Sequence, residues 1–211
     1  MMKIKCIALL LILSAPTLLL ANSGVEALQK DWAVANYQLT GDAQEKAFET
    51  LIAKADAVLT AKPQSAELLI WRGIIKSSFA GVKGGLGALS LIKESKKDLE
   101  KALEINDKAL SGSAYTSLGT LYFKAPGWPI SFGDDEKAKT MLEQALVINP
   151  NGIDSNFFYG EFLRDQGHMA KAKEYLEKAK RAPQRPNRPV ADKGRHEDIA
   201  KALLEVKDAL N

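Results

Sequence analysis

Cysteine is almost missing from this chain. Its 211 residues hold one, Cys6, together with two histidines. Disulfide bonding and thiolate chemistry beyond residue 6 are excluded. Two histidines without cysteine cannot build a common zinc site unless several carboxylates join them. No Gly-x-Ser-x-Gly occurs, and His168 in "DQGHM" and His196 in the tail read as surface residues rather than bases. Strand signals are nearly absent too. No charge of one sign dominates, with 29 Lys and Arg against 26 Asp and Glu. That balance gives no electrostatic footprint for nucleic acid or an anionic membrane.

The one apolar run stands at the start, in "MMKIKCIALLLILSAPTLLLANS". Lys3 and Lys5 precede it, Ser14, Pro16 and Thr17 interrupt it, and Ala21 ends it before polar Asn22. This is the layout of a secretory signal peptide, expected over 1–21 with cleavage near Ala21, the alternative being a segment retained as an anchor. The run is too short and too broken for a membrane span. Cys6 lies ahead of it, where it cannot become a lipidated N-terminus. Export to a bacterial periplasm is therefore expected, with no transmembrane span in the mature chain. Lys3 and Lys5 leave with the signal, so the mature chain is close to neutral.

Ala, Leu, Lys and Glu dominate the rest of the chain, with helical periodicity. "DDEKAKTMLEQALVINP" places Ala138, Met141, Leu142, Ala145 and Leu146 on one face. Asp134 and Asp135 suit its N-terminus, and Pro150 stops the chain beyond it. "GHMAKAKEYLEKAKRAP" repeats the arrangement: Ala138 to Ala172, Leu142 to Leu176 and Ala145 to Ala179 are each 34 residues apart. A small–large–small pattern at a 34-residue period is that of the tetratricopeptide repeat. Tyr159-Gly160 and Leu163 suit the first helix (A) of that hairpin, with glycine where it crosses the second (B). Leu118-Gly119 and Tyr122 repeat them one unit earlier, and Gly73, Leu99 and Ala102 another unit earlier.

Two segments exceed the period. Gly119 to Ala138 is 19 residues where Gly160 to Ala172 is 12. The excess lies in "FKAPGWPISFGDDEKAK", an insertion in the A–B turn near 123–135. A second, near 78–94, contains "GVKGGLG", which reads as an A–B turn, since no strand and no Gly-Lys-Ser/Thr make it a phosphate loop. The expected organisation is all-α: a tetratricopeptide-like solenoid of helical hairpins with enlarged A–B turns and a C-terminal capping helix. Residues 22–64 form a degenerate helical pair and 65–183 the array. Residues 184–211 form a basic, Pro-rich connector and a cap from about Asp192 to Leu210.

The chain thus resembles tetratricopeptide repeat proteins of the bacterial envelope. In "PGWPISFGD…KA…LEQAL…NP" it also resembles the accessory T component of tripartite periplasmic transporters. The resemblance implies binding rather than catalysis, without a cofactor, in a concave groove lined by A helices. Candidate groove residues, counted from the glycines, include Ile74, Ser77, Thr116, Thr120, Phe157, Glu161 and Arg164. Trp128, restricted by Pro129, and Phe132 form a candidate aromatic lip, with packing of the loop on itself as the alternative. The arginines of "KRAPQRPNRPVADKGRHED" read as pairing with acids such as Glu161, Asp165 or Glu174. The expected function is a scaffold or adaptor for a protein or peptide partner, with homo-oligomerisation open to it. The second reading is an accessory of a periplasmic solute transport system that binds a small apolar or anionic solute and docks on a solute-binding protein.

Overall fold

A computed structural model describes residues 16–211, with side chains from residue 24 onward. The expected signal segment therefore lies largely outside the described residues. Among those residues there are nine α-helices and no strand: α1 (Pro16–Tyr37), α2 (Gly41–Ala61), α3 (Ala66–Lys83), α4 (Gly85–Ile105), α5 (Ser113–Lys124), α6 (Asp135–Ile148), α7 (Ile153–Asp165), α8 (Met169–Lys180) and α9 (Pro189–Leu210). None of them is long and apolar enough to cross a membrane. The chain is an all-α helical repeat.

The helix limits reflect local chemistry. Ser65 caps α3 by accepting from the Leu68 N–H at 3.3 Å, and Asp134 caps α6 by accepting from the Lys137 N–H at 3.0 Å. Pro189 occupies the first turn of α9, where its missing N–H costs nothing. That turn starts three residues before the expected Asp192.

Consecutive helices pair as antiparallel hairpins, α3 with α4, α5 with α6 and α7 with α8, and a glycine sits at each crossing. Gly73 faces Leu99, Gly119 faces Leu142, and Gly160 faces Leu176. Gly24 on α1 faces Val58 on α2 in the same manner. The three leucines are fully buried, as are Ala102, Ala138 and Ala172 beside them.

The residues in excess near 78–94 are helical rather than a loop. α3 continues to Lys83, and α4 starts two residues later. Only Gly84 and Gly85 leave helical backbone, at φ +63° and +58°. Glycine adopts that conformation without strain, so the rest of "GVKGGLG" extends the two helices. Buried polar contacts tie this long hairpin together. Asp98 accepts from Arg72 at 2.8 and 2.6 Å and from Lys76 at 3.2 Å, and Arg72 also reaches Asp56 on α2 at 2.8 Å.

The C-terminal helix does more than cover the last hairpin. α9 packs on α8 and α7 and also on α1. Gly194 lies against the Tyr37 ring, where any Cβ would overlap it, and Tyr37 donates to Asp198 at 3.1 Å. The last helix thus returns to the first, and the concave side of the array is closed.

Candidate functional site

Closure of the concave side leaves a cavity of about 240 Å³. Trp32 and Tyr37 of α1, Trp71 and Ile74 of α3, Thr116 and Thr120 of α5, Asp154 and Phe158 of α7, and Arg188 and Arg195 from the connector and α9 surround it. A helices of the hairpins supply one wall, and the connector and α9 supply the other. Ile74, Ser77, Thr116 and Thr120 are the expected groove residues that reach this space. Thr120 donates its hydroxyl to the Thr116 carbonyl at 2.8 Å.

The remaining groove candidates are engaged by α9. The Arg195 guanidinium stands 4.3 Å from the Phe157 ring centre and 4.6 Å from that of Phe158. Arg164 pairs with Glu161 at 2.9 Å and with Glu205 of α9. The A-helix face of the fourth hairpin therefore holds the protein's own C-terminal helix.

An ionic chain fixes the closure. Arg185 donates to Asp192 at 2.6 Å and to Asp154 at 2.6 Å. Asp154 accepts from Arg195 at 2.9 Å, and Arg195 donates onward to Asp198 at 2.9 Å. Burial raises the Asp154 carboxyl, but Arg195, Arg185 and Arg188 outweigh it and hold the group well below the usual carboxylate range. Burial pushes the Tyr37 hydroxyl up, and the Asp198 and Asp154 charges add to that against Arg195. Arg185 and Arg195 thus pair with Asp154, Asp192 and Asp198, and Arg181 with Glu177, rather than with Glu161, Asp165 or Glu174. Path explains the difference, because the prolines carry the connector back across the start of α7, where Asp154 stands in the first turn.

Arg188 differs from its neighbours. It makes no ion pair among the described residues, and its Nε is buried without a hydrogen-bond partner. Its guanidinium lies 5.1 Å from the Trp71 ring centre. Burial, then repulsion from Arg185, pushes its pKa down to about 10. Trp71 is itself 3% exposed and leaves its indole N–H unpartnered.

The loop between α5 and α6 separates its two aromatic residues. Trp128 is 90% exposed, and Ile130 beside it is 61% exposed. Phe132 turns inward and meets Tyr122 edge-on at 5.7 Å, with the Lys96 ammonium 5.8 Å from its ring. The Trp128–Pro129 peptide is cis. Backbone bonds hold the loop's base: Gly133 N–H to Pro126 O at 2.9 Å and Asp134 N–H to Tyr122 O at 2.9 Å. A side chain at Gly133 would run into the Ala125 carbonyl.

Sequence reasoning passes over Trp32, Tyr37, Trp71 and Asp154. The first three read as ordinary apolar positions, and nothing local marks Asp154. Arg188 is visible only as one of several connector arginines.

Residues 153–184, which span α7 and α8, match the tetratricopeptide repeat family. No curated protein matches the chain. Solved structures similar to it include two that cover most of both chains. One, "Crystal structure of MamA", has 21% identity over 79% of this chain and 91% of that one, with a TM-score of 0.46. The other, "Crystal structure of MamA protein", has 20% identity over 89% and 92%, with a TM-score of 0.45. The chain carries a tetratricopeptide repeat at residues 153–184, within an all-α array of helical hairpins.

Proposed function

We propose that this protein is an exported, non-catalytic scaffold of the bacterial envelope that engages a protein partner through the loop carrying Trp128. Tetratricopeptide repeats in general serve as scaffolds for protein interaction, and a concave groove is their expected contact surface. Here that side is taken up by α9, so the contact moves to the outside of the array. The exposure of Trp128 carries this reading. An indole held in water on a backbone-bonded loop loses little conformational entropy on binding. Ile130 beside it enlarges the apolar tip. Site-specific photo-crosslinking in intact cells tests the proposal. A crosslinker at position 128 is expected to capture a discrete protein partner. One at Val147, another solvent-facing apolar position, on α6, is not. Equal or absent capture at both positions removes the lip from the function. Fractionation of the same cells tests export.

The cavity between the A helices and α9 favours a second reading, the transport accessory suggested by the resemblance to T components. A small apolar or anionic solute would occupy the space between the A helices and α9.

A further inference from the structure

We infer that Arg188 and Trp71 form a clamp for the carboxylate of a small monoanion whose apolar body fills the cavity closed by α9. The inference rests on the small-solute reading and gives it a site and a ligand class.

The donors of the cavity wall decide the chemistry. Most are already used. The Trp32 indole N–H donates to Ser78 at 2.9 Å, Ser77 to the Ile74 carbonyl at 2.9 Å, Thr120 to Thr116, and Ser113 to the Leu110 carbonyl at 2.6 Å. Arg195 is committed to Asp154 and Asp198. Asn36, Thr116 and Ser117 remain as neutral donors that do not select for charge. The charged group left over is the Arg188 guanidinium, which makes no ion pair among the described residues, and beside it the Trp71 N–H has no acceptor. A half-buried guanidinium whose buried Nε has no partner, and a buried N–H beside it, are costly unless an acceptor meets them. A carboxylate supplies two acceptor oxygens and one negative charge, and it matches the planar guanidinium.

The same wall limits the ligand's charge and shape. Asp154 and Asp198 also line the cavity, so a dianion such as phosphate meets about twice the repulsion that a monoanion meets. Trp32, Ile74, Leu121 and Phe158 supply apolar surface for the rest of the ligand, interspersed with hydroxyl groups such as those of Thr116 and Ser117. At ~30 Å³ for each water, the space matches roughly eight waters, the bulk of a short-chain or single-ring carboxylic acid. Beyond Arg188 and Trp71 a second cleft shares Ser113, Thr116 and Asp154 with the cavity, which gives the clamp a face toward solvent.

Calorimetric titration of the purified full-length chain with hexanoate, and with hexanamide as its neutral counterpart, tests the clamp. Hexanoate is expected to bind, with hexanamide roughly tenfold weaker or worse, the scale of one lost charge-assisted contact. Arg188→Gln should abolish that preference, and Trp71→Phe should weaken hexanoate severalfold while leaving hexanamide unchanged. Arg188→Lys, which keeps the charge, should retain part of the preference. Thermal melting identifies any variant that has lost its fold, and the remaining variants then decide. Equal binding of the two probes, or hexanoate binding unaltered in folded Arg188→Gln, overturns the clamp and leaves an apolar solute in the cavity. Absence of binding by either probe overturns the clamp and the small-solute reading together.

Discussion

A Cβ placed on Gly160 would stand 2.9 Å from Leu176 Cγ, closer than real Cβ contacts come. The relation recurs at 2.8 Å between Gly73 and Leu99 and at 2.6 Å between Gly119 and Leu142. Each hairpin is thus built on backbone from helix A meeting a fully buried leucine from helix B. Gly160→Leu forces α7 and α8 apart, and a loss of about 1–3 kcal/mol is expected, the usual range for overpacking. Leu176→Ala in the same chain should return part of that loss, since the two changes act on one contact and do not add. Chemical denaturation of the two single variants and the double variant measures the coupling. An unchanged midpoint in Gly160→Leu would refute the hairpin register.

The α5–α6 loop offers a contrast between neighbours. Trp128 faces water, so Trp128→Ala should alter stability by less than about 0.5 kcal/mol. Phe132 packs on Tyr122 and lies under Lys96. Phe132→Ala should cost about 1–2 kcal/mol, below the range for a fully buried phenylalanine because the ring is only half-buried. Thermal unfolding of the two variants separates them. A larger loss at Trp128 than at Phe132 would make Trp128 a packing residue and remove it from partner binding.

Much of this architecture is legible in the sequence because its causes are local or periodic. Gly160, Leu176 and Ala172 recur at fixed spacing, so the last hairpin and its register emerge from counting. "GVKGGLG" misleads because glycine tolerates a helix at modest cost. Packing of α3 on α4 overrides its weak propensity, and only Gly84 and Gly85 break the helix. The closed cavity is not legible at all. It depends on where α9 returns after the connector, and contacts such as Tyr37 with Asp198 join residues 161 positions apart. Nothing in a local pattern announces a contact of that range.

Asp154 stands between Arg185 and Arg195, and its removal leaves both arginines short of a counter-charge. Asp154→Asn should destabilise the fold by about 2–3 kcal/mol, less than a fully buried pair because the carboxylate faces the cavity. The depressed pKa sets the sign of the pH dependence. A carboxylate whose folded-state pKa lies below its unfolded value near 3.8 stabilises the fold above that pH, and the contribution is lost as pH falls further. Wild type should therefore lose stability steeply below about pH 4. Asp154→Asn should start lower at neutral pH and fall less over the same interval. Denaturation midpoints between pH 2.5 and 7 give both curves, and parallel curves would refute the ionic account.

Closure of the array by α9 can be tested apart from any ligand. Gly194 is buried against the Tyr37 ring, with no room for a side chain. Gly194→Val should push α9 off α1 and disturb the contact between Tyr37 and Asp198. Arg195, the next residue along α9, then loses the partners that hold it. Limited trypsin digestion reads this directly, because Arg195 is buried and fixed by Asp154 and Asp198 in the intact chain. Arg185 and Arg188 each precede proline and resist trypsin in any state, so early cleavage after Arg195 is the signal expected in the variant. Wild type should be resistant there. Ala200→Val is the control. It makes the same kind of change on α9 at an exposed position, where a β-branched residue costs only a few tenths of a kcal/mol. Its digestion pattern should match wild type. Equal resistance of Gly194→Val and wild type would mean that α9 is held by α7 and α8 alone, and that its contact with α1 does not close the cavity.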